Sequence, residues 1–150
     1  MNMFVIEKIV EINASPEQVW KVITDLKSYP EWNPFMRECS TTFKPGAPID
    51  MKVALFSKPQ PQQEIVKEYI EGKLFSYTMK PVGGGTVLSS FRSHEVEAFP
   101  NGRTRYRSYF YLKGWLSPLV RTLLGSRLEK GFAGMTKGIQ ERAEKLAAQG

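Results

Sequence analysis

The sequence has one cysteine, one histidine and no long apolar segment, and each scarcity excludes a class of structure. Cys39 alone cannot form an intramolecular disulfide, and one cysteine with one histidine cannot supply a common zinc site. We expect Cys39 to be a buried structural residue, as free cysteines usually are. No stretch reaches the apolar length that spans a bilayer. The composition therefore predicts a soluble protein that needs neither a metal nor another cofactor.

Acidic residues are the second scarcity, because 15 Asp and Glu stand against 21 Lys and Arg, for a net charge of +6. A positive surface attracts membranes, nucleic acids and anionic ligands. The basic residues are scattered along the chain, however, and no nucleic-acid-binding motif accompanies them. We therefore expect no nucleic-acid partner, whereas transient membrane contact and binding of an anionic ligand both remain open.

The N-terminal residues alternate between apolar and charged types, which predicts a first strand over residues 3–12, with a bulge where the phase changes. A basic region followed by an apolar block would indicate a secretory signal, and none is visible, so we expect a cytoplasmic protein. The 150 residues are 41% hydrophobic and 24% charged, which is typical of globular proteins. They predict a single domain over residues 1–150.

A capped helix and a turn follow the first strand. Ser15 is a good N-cap, and Pro16 suits the first helical position, where a missing N–H costs little. The apolar residues then recur at helical spacing as far as Leu26. Two proline-containing pairs, Tyr29-Pro30 and Asn33-Pro34, end the helix and turn the chain.

Alternating segments separated by turn signals predict six more strands, over residues 36–43, 49–56, 64–70, 74–79, 86–99 and 104–113. The period then changes at Ser117-Pro118, which repeats the cap-and-proline start of a helix. The apolar stripe that follows recurs every three or four residues almost to the C-terminus: Leu128, Phe132, Met135, Ile139, Ala143 and Leu146. A sheet that curls around one long helix encloses space between them.

Two motifs resemble the START-like and pollen-allergen-like superfamily, in particular its polyketide cyclase/dehydrase-like proteins: Ala14-Ser15-Pro16-Glu17-Gln18-Val19-Trp20 and Tyr29-Pro30-Glu31-Trp32-Asn33-Pro34-Phe35. The resemblance extends in order to Gly102-Arg103-Thr104-Arg105 and to Gly114 before the last helix. It implies an α+β helix-grip fold, in which a curved antiparallel sheet of about seven strands, with two short helices after the first strand, wraps around a long C-terminal helix. It also implies a cavity between sheet and helix. The superfamily contains binders, carriers and enzymes, so the fold alone does not choose a function.

The strand around His94 carries the polar candidates. Alternation places Ser90, Arg92, His94 and Val96 on one face, and Val96 indicates that this face is the inner one. An inward Arg92 with His94 could anchor an oxygen of a ligand or act on it as an acid–base pair. The alternative is that His94 is a rim residue that only bonds a neighbour.

The apolar candidates lie on the inner strand faces and on the last helix. In some relatives the position that matches Phe110 is acidic, and the aromatic residue found here favours an apolar cavity. The full set of candidate ligand-binding residues is Trp32, Met51, Val53, Leu55, Arg92, His94, Tyr106, Phe110, Phe132, Met135 and Ile139. We assign no catalytic residue from the sequence, and His94 is the candidate proton shuttle.

Two further features admit two interpretations each. The last helix contains Gly125, Gly131, Gly134 and Gly138, and each glycine costs about 0.5–1 kcal/mol relative to alanine. Either a ligand lies against the helix there, or the helix packs closely or breaks near Gly125. Trp115 and Leu116, at the strand-to-helix junction, either fill a corner of the core or gate the cavity and touch a membrane.

Three functions are consistent with these residues. The first is binding of a hydrophobic or amphipathic small molecule, such as a lipid, an isoprenoid or a polyketide-like ring system. The second is a cyclase or dehydratase that uses the same cavity, since orientation alone accelerates cyclisation. The third is a module that presents a basic surface to a membrane or a protein. We expect a monomer or a weak dimer.

Overall fold

The computed structural model describes residues 3–149, so the predicted domain ends at residues 1 and 150 lie outside the described residues. The elements are β1 (Met3–Ile12), α1 (Pro16–Thr24), α2 (Tyr29–Trp32), β2 (Met36–Thr41), β3 (Pro48–Val53), β4 (Gln60–Ile70), β5 (Leu74–Thr78), β6 (Ser89–Phe99), β7 (Arg103–Lys113) and α3 (Ser117–Gln149). The strands form one antiparallel sheet in the order β1-β7-β6-β5-β4-β3-β2. The predicted helix-grip fold, with two short helices after β1, is confirmed.

The start of α1 is fixed by the predicted cap. Ser15 Oγ accepts a hydrogen bond from the backbone N–H of Gln18 at 3.2 Å, and Gln18 Oε1 accepts one from the N–H of Ser15 at 3.0 Å. This reciprocal capping box satisfies two backbone donors that a helix start otherwise leaves unpaired. The sequence signal and the local geometry therefore agree at this position.

The turn after α2 is held by buried polar contacts. Asn33 is fully buried, and its Oδ1 accepts hydrogen bonds from the backbone N–H groups of Phe35 at 3.0 Å and Met36 at 2.8 Å. From the other side, the Arg37 guanidinium donates to the carbonyl oxygens of Asn33 at 2.8 Å and Pro30 at 2.9 Å. These bonds satisfy backbone groups that have no strand partner, and they orient the turn towards α3.

The glycines of α3 allow that turn to pack against the helix. A Cβ on Gly131 would overlap the ring of Phe35, and one on Gly138 would lie 2.8 Å from Cε3 of Trp32. At Gly125 a Cβ would meet only ordinary contacts, from 3.6 Å outwards. The helix runs without a break from Ser117 to Gln149, so the predicted alternative of a break near Gly125 is wrong. Close packing explains Gly131 and Gly138, and the packing partner is the turn.

Three predicted strand ends differ from the structure by three residues or more. β3 ends at Val53 instead of residue 56, because the backbone N–H of Ala54 leaves the sheet and donates to the carbonyl oxygen of Phe35 at 2.7 Å. β4 begins at Gln60, four residues before the predicted start. Pro61 is tolerated there because that part of β4 pairs only with β3. β6 begins at Ser89 instead of residue 86.

The inner face of the sheet packs on α1 and α3 and forms the core. On β6 and β7 the residues that alternate onto this face are all buried: Ser90, Arg92, His94 and Val96 on β6, and Tyr106, Ser108, Phe110 and Leu112 on β7. Cys39 is half-buried against the core, and burial, with a smaller contribution from Asp50, raises the pKa of its thiol to about 12. Among residues 3–149, the longest helix lacks the apolar stretch that a membrane span requires.

Candidate functional site

A cavity of about 80 Å³ lies between the sheet and α3, where both sheet and helix contribute side chains. Its apolar wall consists of Phe35, Met36, Met51, Val53, Leu55, Phe110, Leu128 and Phe132. Four polar side chains complete the lining: Gln62, Glu64, Tyr77 and Arg92. A mostly apolar wall with a few convergent polar groups is typical of small-molecule sites.

Arg92 is the only cation on this wall, and it is 3% exposed. Its Nη1 donates to Ser108 Oγ at 2.8 Å and to the Ser93 carbonyl oxygen at 3.0 Å, and its Cζ lies 4.7 Å from the centroid of the Phe132 ring. Its Nε has no hydrogen-bond partner among the described residues. Nor does any described carboxylate form an ion pair with it. A buried cation without a counter-ion is costly, so this arrangement favours an acceptor supplied by a ligand.

Glu64 supplies the acidic group of the cavity. Its side chain is 7% exposed, and burial raises the pKa of its carboxyl, while the hydrogen bond from Gln62 and the charge of Arg92 act in the opposite direction. No hydrogen bond or ion pair between Glu64 and Arg92 occurs in the described structure. The two groups therefore face the same cavity as separate polar contacts, one cationic and one poised to take up or release a proton.

His94 lies in a different setting, although it is only two residues from Arg92. It is fully buried, with Nδ1 2.7 Å from the Tyr106 hydroxyl and Nε2 3.4 Å from the Tyr77 hydroxyl. Its ring stacks on Phe75 with 5.9 Å between centroids. Burial, and then the charge of Arg92, hold the pKa of His94 well below its ordinary value, so the imidazole is neutral. A neutral imidazole has one donor and one acceptor nitrogen, and the two hydroxyls match both.

The structure therefore separates the predicted site residues into two groups. Six of them line the cavity: Met51, Val53, Leu55, Arg92, Phe110 and Phe132. The other five do not line it: Trp32, His94, Tyr106, Met135 and Ile139. His94 is also no rim residue, which corrects that alternative. Met135 still contacts the site indirectly, because Arg92 Nη2 lies 3.7 Å from its Sδ.

Sequence reasoning missed the carboxyl of the cavity. Glu64 precedes the buried Val66 by two positions on β4, and Tyr77 follows the buried Phe75 by two positions on β5. The period of two places each pair on one face, so alternation was the available signal. It was hidden at Glu64, because the predicted strand began at that residue and gave no alternation before it.

One wall of the cavity adjoins a surface groove of about 500 Å³. Phe35 and Leu55 line both, and the groove continues along Phe56, Arg127 and Lys130. Arg127 connects α3 to the β3–β4 loop, since its Nη1 donates to the Leu55 carbonyl oxygen at 3.3 Å and its Cζ lies 5.1 Å from the Phe56 ring centroid. The cavity and the groove therefore share a wall formed by Phe35 and Leu55.

The cavity volume of about 80 Å³ is below the ~300–1,000 Å³ of common ligand sites. It is also smaller than the roughly 150 Å³ cavity that accommodates benzene. The ring of Phe132 fills the centre, 5.1 Å from the Phe35 centroid and 4.8 Å from the Phe110 centroid. A ligand with a ring must displace these side chains, and Phe35 is the one that adjoins the groove.

Solved structures show the same fold across nearly the whole chain. The Zhui aromatase/cyclase from Streptomyces sp. R1128 superposes with a TM-score of 0.78 at 14% identity, covering 99% of each chain. A norcoclaurine synthase point mutant from Thalictrum flavum, solved with a transition-state analogue, superposes with a TM-score of 0.71 at 16% identity, covering 97% of this chain and 96% of the other. A START superfamily protein from Mycobacterium smegmatis gives a TM-score of 0.70 at 19% identity, with 95% and 98% coverage.

Comparison of the sequence with curated proteins and with family models gives different results. No curated protein sequence is significantly similar to this chain. The model of one family, described as polyketide cyclase / dehydrase and lipid transport, matches residues 3–144. The match includes every element from β1 to most of α3, together with all twelve cavity residues. The chain therefore belongs to the polyketide cyclase/dehydrase and lipid transport family.

Proposed function

We propose that the protein binds an amphipathic small molecule whose apolar body lies against Phe110 and Phe132 and whose oxygen-bearing end reaches Arg92. The observation that carries the proposal is the buried guanidinium, which lines an apolar cavity with an unpaired Nε and no ion-pair partner among residues 3–149. A ligand oxygen at Nε would satisfy the donor and offset the charge at once. An apolar ligand without such an oxygen would leave the Nε donor unpaired and the charge without a partner.

The two polar groups restrict the chemistry of the ligand end. The Arg92 guanidinium only donates hydrogen bonds, so it selects an acceptor oxygen. Burial raises the pKa of Glu64, and a protonated Glu64 carboxyl can donate a second hydrogen bond to the same oxygen. A carboxylate, an enolate or a polarised carbonyl accepts from both groups. A ligand that ends in an ammonium group would be repelled by Arg92.

The comparisons support a small-molecule ligand of this kind. The description of the family names both polyketide cyclisation and lipid transport, and one structural neighbour is an aromatase/cyclase. Another neighbour was solved with a transition-state analogue. Low identity limits these neighbours to an argument from fold, so the class of ligand proposed here rests on the cavity residues.

Ligand titration by calorimetry tests the proposal, with 2-naphthoate as the probe and the uncharged 2-naphthalenemethanol as its partner compound. We expect 2-naphthoate to bind more tightly than the alcohol, and the variant Arg92→Met to lose that preference. Arg105→Met is the matched control, because Arg105 is exposed and points to the opposite side of the sheet. Equal affinity for the two compounds in the unmodified protein, or an unchanged preference in Arg92→Met, would contradict the proposal.

A proton-transfer enzyme is the second candidate function, and Glu64 is the observation that favours it. Its buried carboxyl lines the cavity, whereas His94 does not, so the acid–base role moves from His94 to Glu64. A carbonyl polarised by Arg92 acidifies its neighbouring C–H bonds, and Glu64 is the group that could accept the proton. Hydrogen–deuterium exchange at the α-carbon of 2-acetylnaphthalene tests this role, and exchange that Glu64→Gln does not slow would exclude it.

A further inference from the structure

One ridge of α3 exposes apolar side chains to solvent. Trp115, Leu119 and Leu123 are 67%, 52% and 65% exposed, the three highest values for large apolar residues in the described chain. They are spaced by four residues, so they lie along one side of the helix and its N-terminal approach. Single exposed apolar residues are ordinary, but three in a row along one helix face indicate a surface that contacts something.

Two basic side chains extend the ridge towards the C-terminus of the helix. Arg127 lies four residues after Leu123, and Lys130 lies seven residues after Leu123. Both therefore extend the same side of the helix. Residues 98–128 contain six Lys and Arg and no Asp or Glu. The next acid, Glu129, forms an exposed ion pair with Lys8 on β1 at 3.3 Å. We name Trp115, Leu119, Leu123, Arg127 and Lys130 the docking ridge.

The docking ridge ends at the groove that adjoins the cavity. Arg127 and Lys130 line the groove that shares Phe35 and Leu55 with the cavity. The half-exposed Phe56 lies in the same groove, under the Arg127 guanidinium. A partner that covers the ridge would therefore cover the groove that adjoins the cavity as well.

We propose that the docking ridge attaches the protein to the surface of an anionic lipid bilayer. The helical part of the ridge spans about 17 Å from Leu119 to Lys130 at 1.5 Å per residue, and it suits a helix that lies flat in the membrane interface. Tryptophan favours that interface, leucines enter the acyl boundary, and the two cations reach the lipid phosphates. Five residues along one helix cover too little area for a stable protein–protein interface, which needs about 20–30 residues a side.

Vesicle co-sedimentation tests the proposal, with phosphatidylcholine vesicles compared with vesicles that contain 30% phosphatidylglycerol, a lipid content chosen to give about the surface charge of an anionic leaflet. We expect binding to the anionic vesicles that declines with added salt. The double variant Arg127→Ala/Lys130→Ala should bind about 25-fold more weakly, at about fivefold per cation. Leu119→Gln/Leu123→Gln should reduce binding at all salt concentrations.

Two controls make the result specific. Ile70→Gln removes an apolar side chain that is 51% exposed elsewhere, and Lys21→Ala/Lys137→Ala removes two exposed cations elsewhere; both should bind vesicles normally. Arg92→Met should also bind vesicles normally, which separates this proposal from the ligand proposal. Failure of the unmodified protein to bind anionic vesicles would overturn the proposal. So would equal losses in ridge and control variants, or dimerisation in sedimentation that the leucine variant abolishes.

Discussion

His94 and Arg92 lie two residues apart on the same face of β6, yet their surroundings are opposite. Both ring nitrogens of His94 have a tyrosine hydroxyl within hydrogen-bonding range, and the residue is sealed from the cavity. Arg92 keeps an unpaired Nε, lacks a carboxylate partner in the described chain and lines the cavity. A polar group with all its bonds made stabilises a core, whereas one with a bond unmade is available to a ligand.

The difference arises from what packs above each residue. His94 is covered by rings from the neighbouring strands, Phe75 on one side and Tyr106 on the other. Arg92 lies two residues away from that stack, and the Phe132 ring and Met135 Sδ of α3 pack against its guanidinium. A displacement of about 7 Å along one strand thus separates a polar cluster with its hydrogen bonds made from the proposed binding group.

The largest expected effect is on ligand affinity at Arg92. Arg92→Met should weaken 2-naphthoate binding by at least about thirtyfold, because a charged hydrogen bond buried with its partner contributes about 2–5 kcal/mol. The free energy of unfolding should change little or rise, since an apolar chain replaces an uncompensated buried charge. Titration calorimetry and urea unfolding measure the two quantities. A large loss of stability without a loss of affinity would assign Arg92 to the core.

At His94 we expect the reverse, a loss of stability without a loss of ligand affinity. His94→Phe should lower the free energy of unfolding by about 1–3 kcal/mol, because the hydroxyls of Tyr77 and Tyr106 lose their partner. Affinity for 2-naphthoate should stay within twofold of the unmodified protein, measured in the same calorimeter. The comparison fails if this variant binds the probe as weakly as Arg92→Met does.

The pH dependence of stability follows from the same cluster. The pKa of His94 is held well below its ordinary value by burial and by Arg92, so below about pH 6.5 the unfolded chain takes up a proton that the folded chain excludes. Stability should fall there by up to about 1.4 kcal/mol per pH unit. Glu64 acts in the opposite direction, because burial raises the pKa of its carboxyl and the folded state then binds the extra proton.

His94→Phe isolates the histidine contribution, since the sequence has no other histidine. The difference in free energy of unfolding between the variant and the unmodified protein should be constant from pH 7 to 8. Below about pH 6.5 this difference should shift in favour of the variant. Urea unfolding at a series of pH values measures the difference. Parallel curves down to pH 5 would mean that His94 is charged in the folded protein.

A pair of glycines in α3 tests how closely the turn at Phe35 packs on the helix. Gly131→Ala should lower the free energy of unfolding by about 1–3 kcal/mol and disturb the cavity, because a Cβ there overlaps the Phe35 ring. Gly125→Ala, whose Cβ meets only ordinary contacts, should raise stability by about 0.5–1 kcal/mol. Urea unfolding distinguishes the two, and matching stabilisation by both alanines would show that Phe35 moves freely away from α3.

The fold was predictable because its signals are local. The Ser15 cap, the turn at Asn33 and the apolar period after Ser117 each depend on residues that are close in sequence. Alternation also placed Arg92 and His94 on the inner face. It could not separate the cavity from the core, because that depends on Phe75, Phe132 and Tyr106, which come from other elements of the fold.

Glu64 shows a second limit of the sequence. Its strand begins in a stretch rich in glutamine and proline, residues that favour a loop, and only pairing with β3 makes that stretch a strand. The glycines of α3 show the same dependence on distant residues. Gly131 is required by Phe35, which lies almost a hundred positions earlier in the chain.

The most direct test of the central claim is the ¹H–¹⁵N resonance of Arg92 Nε–H, assigned by its loss in Arg92→Met, during titration with 2-naphthoate. If Arg92 is the ligand-binding cation, this resonance shifts downfield in proportion to bound probe while the ring nitrogens of His94 keep their chemical shifts. If the probe binds and the Arg92 Nε–H resonance does not move, or the His94 nitrogens shift in its place, the assignment of the two clusters is contradicted.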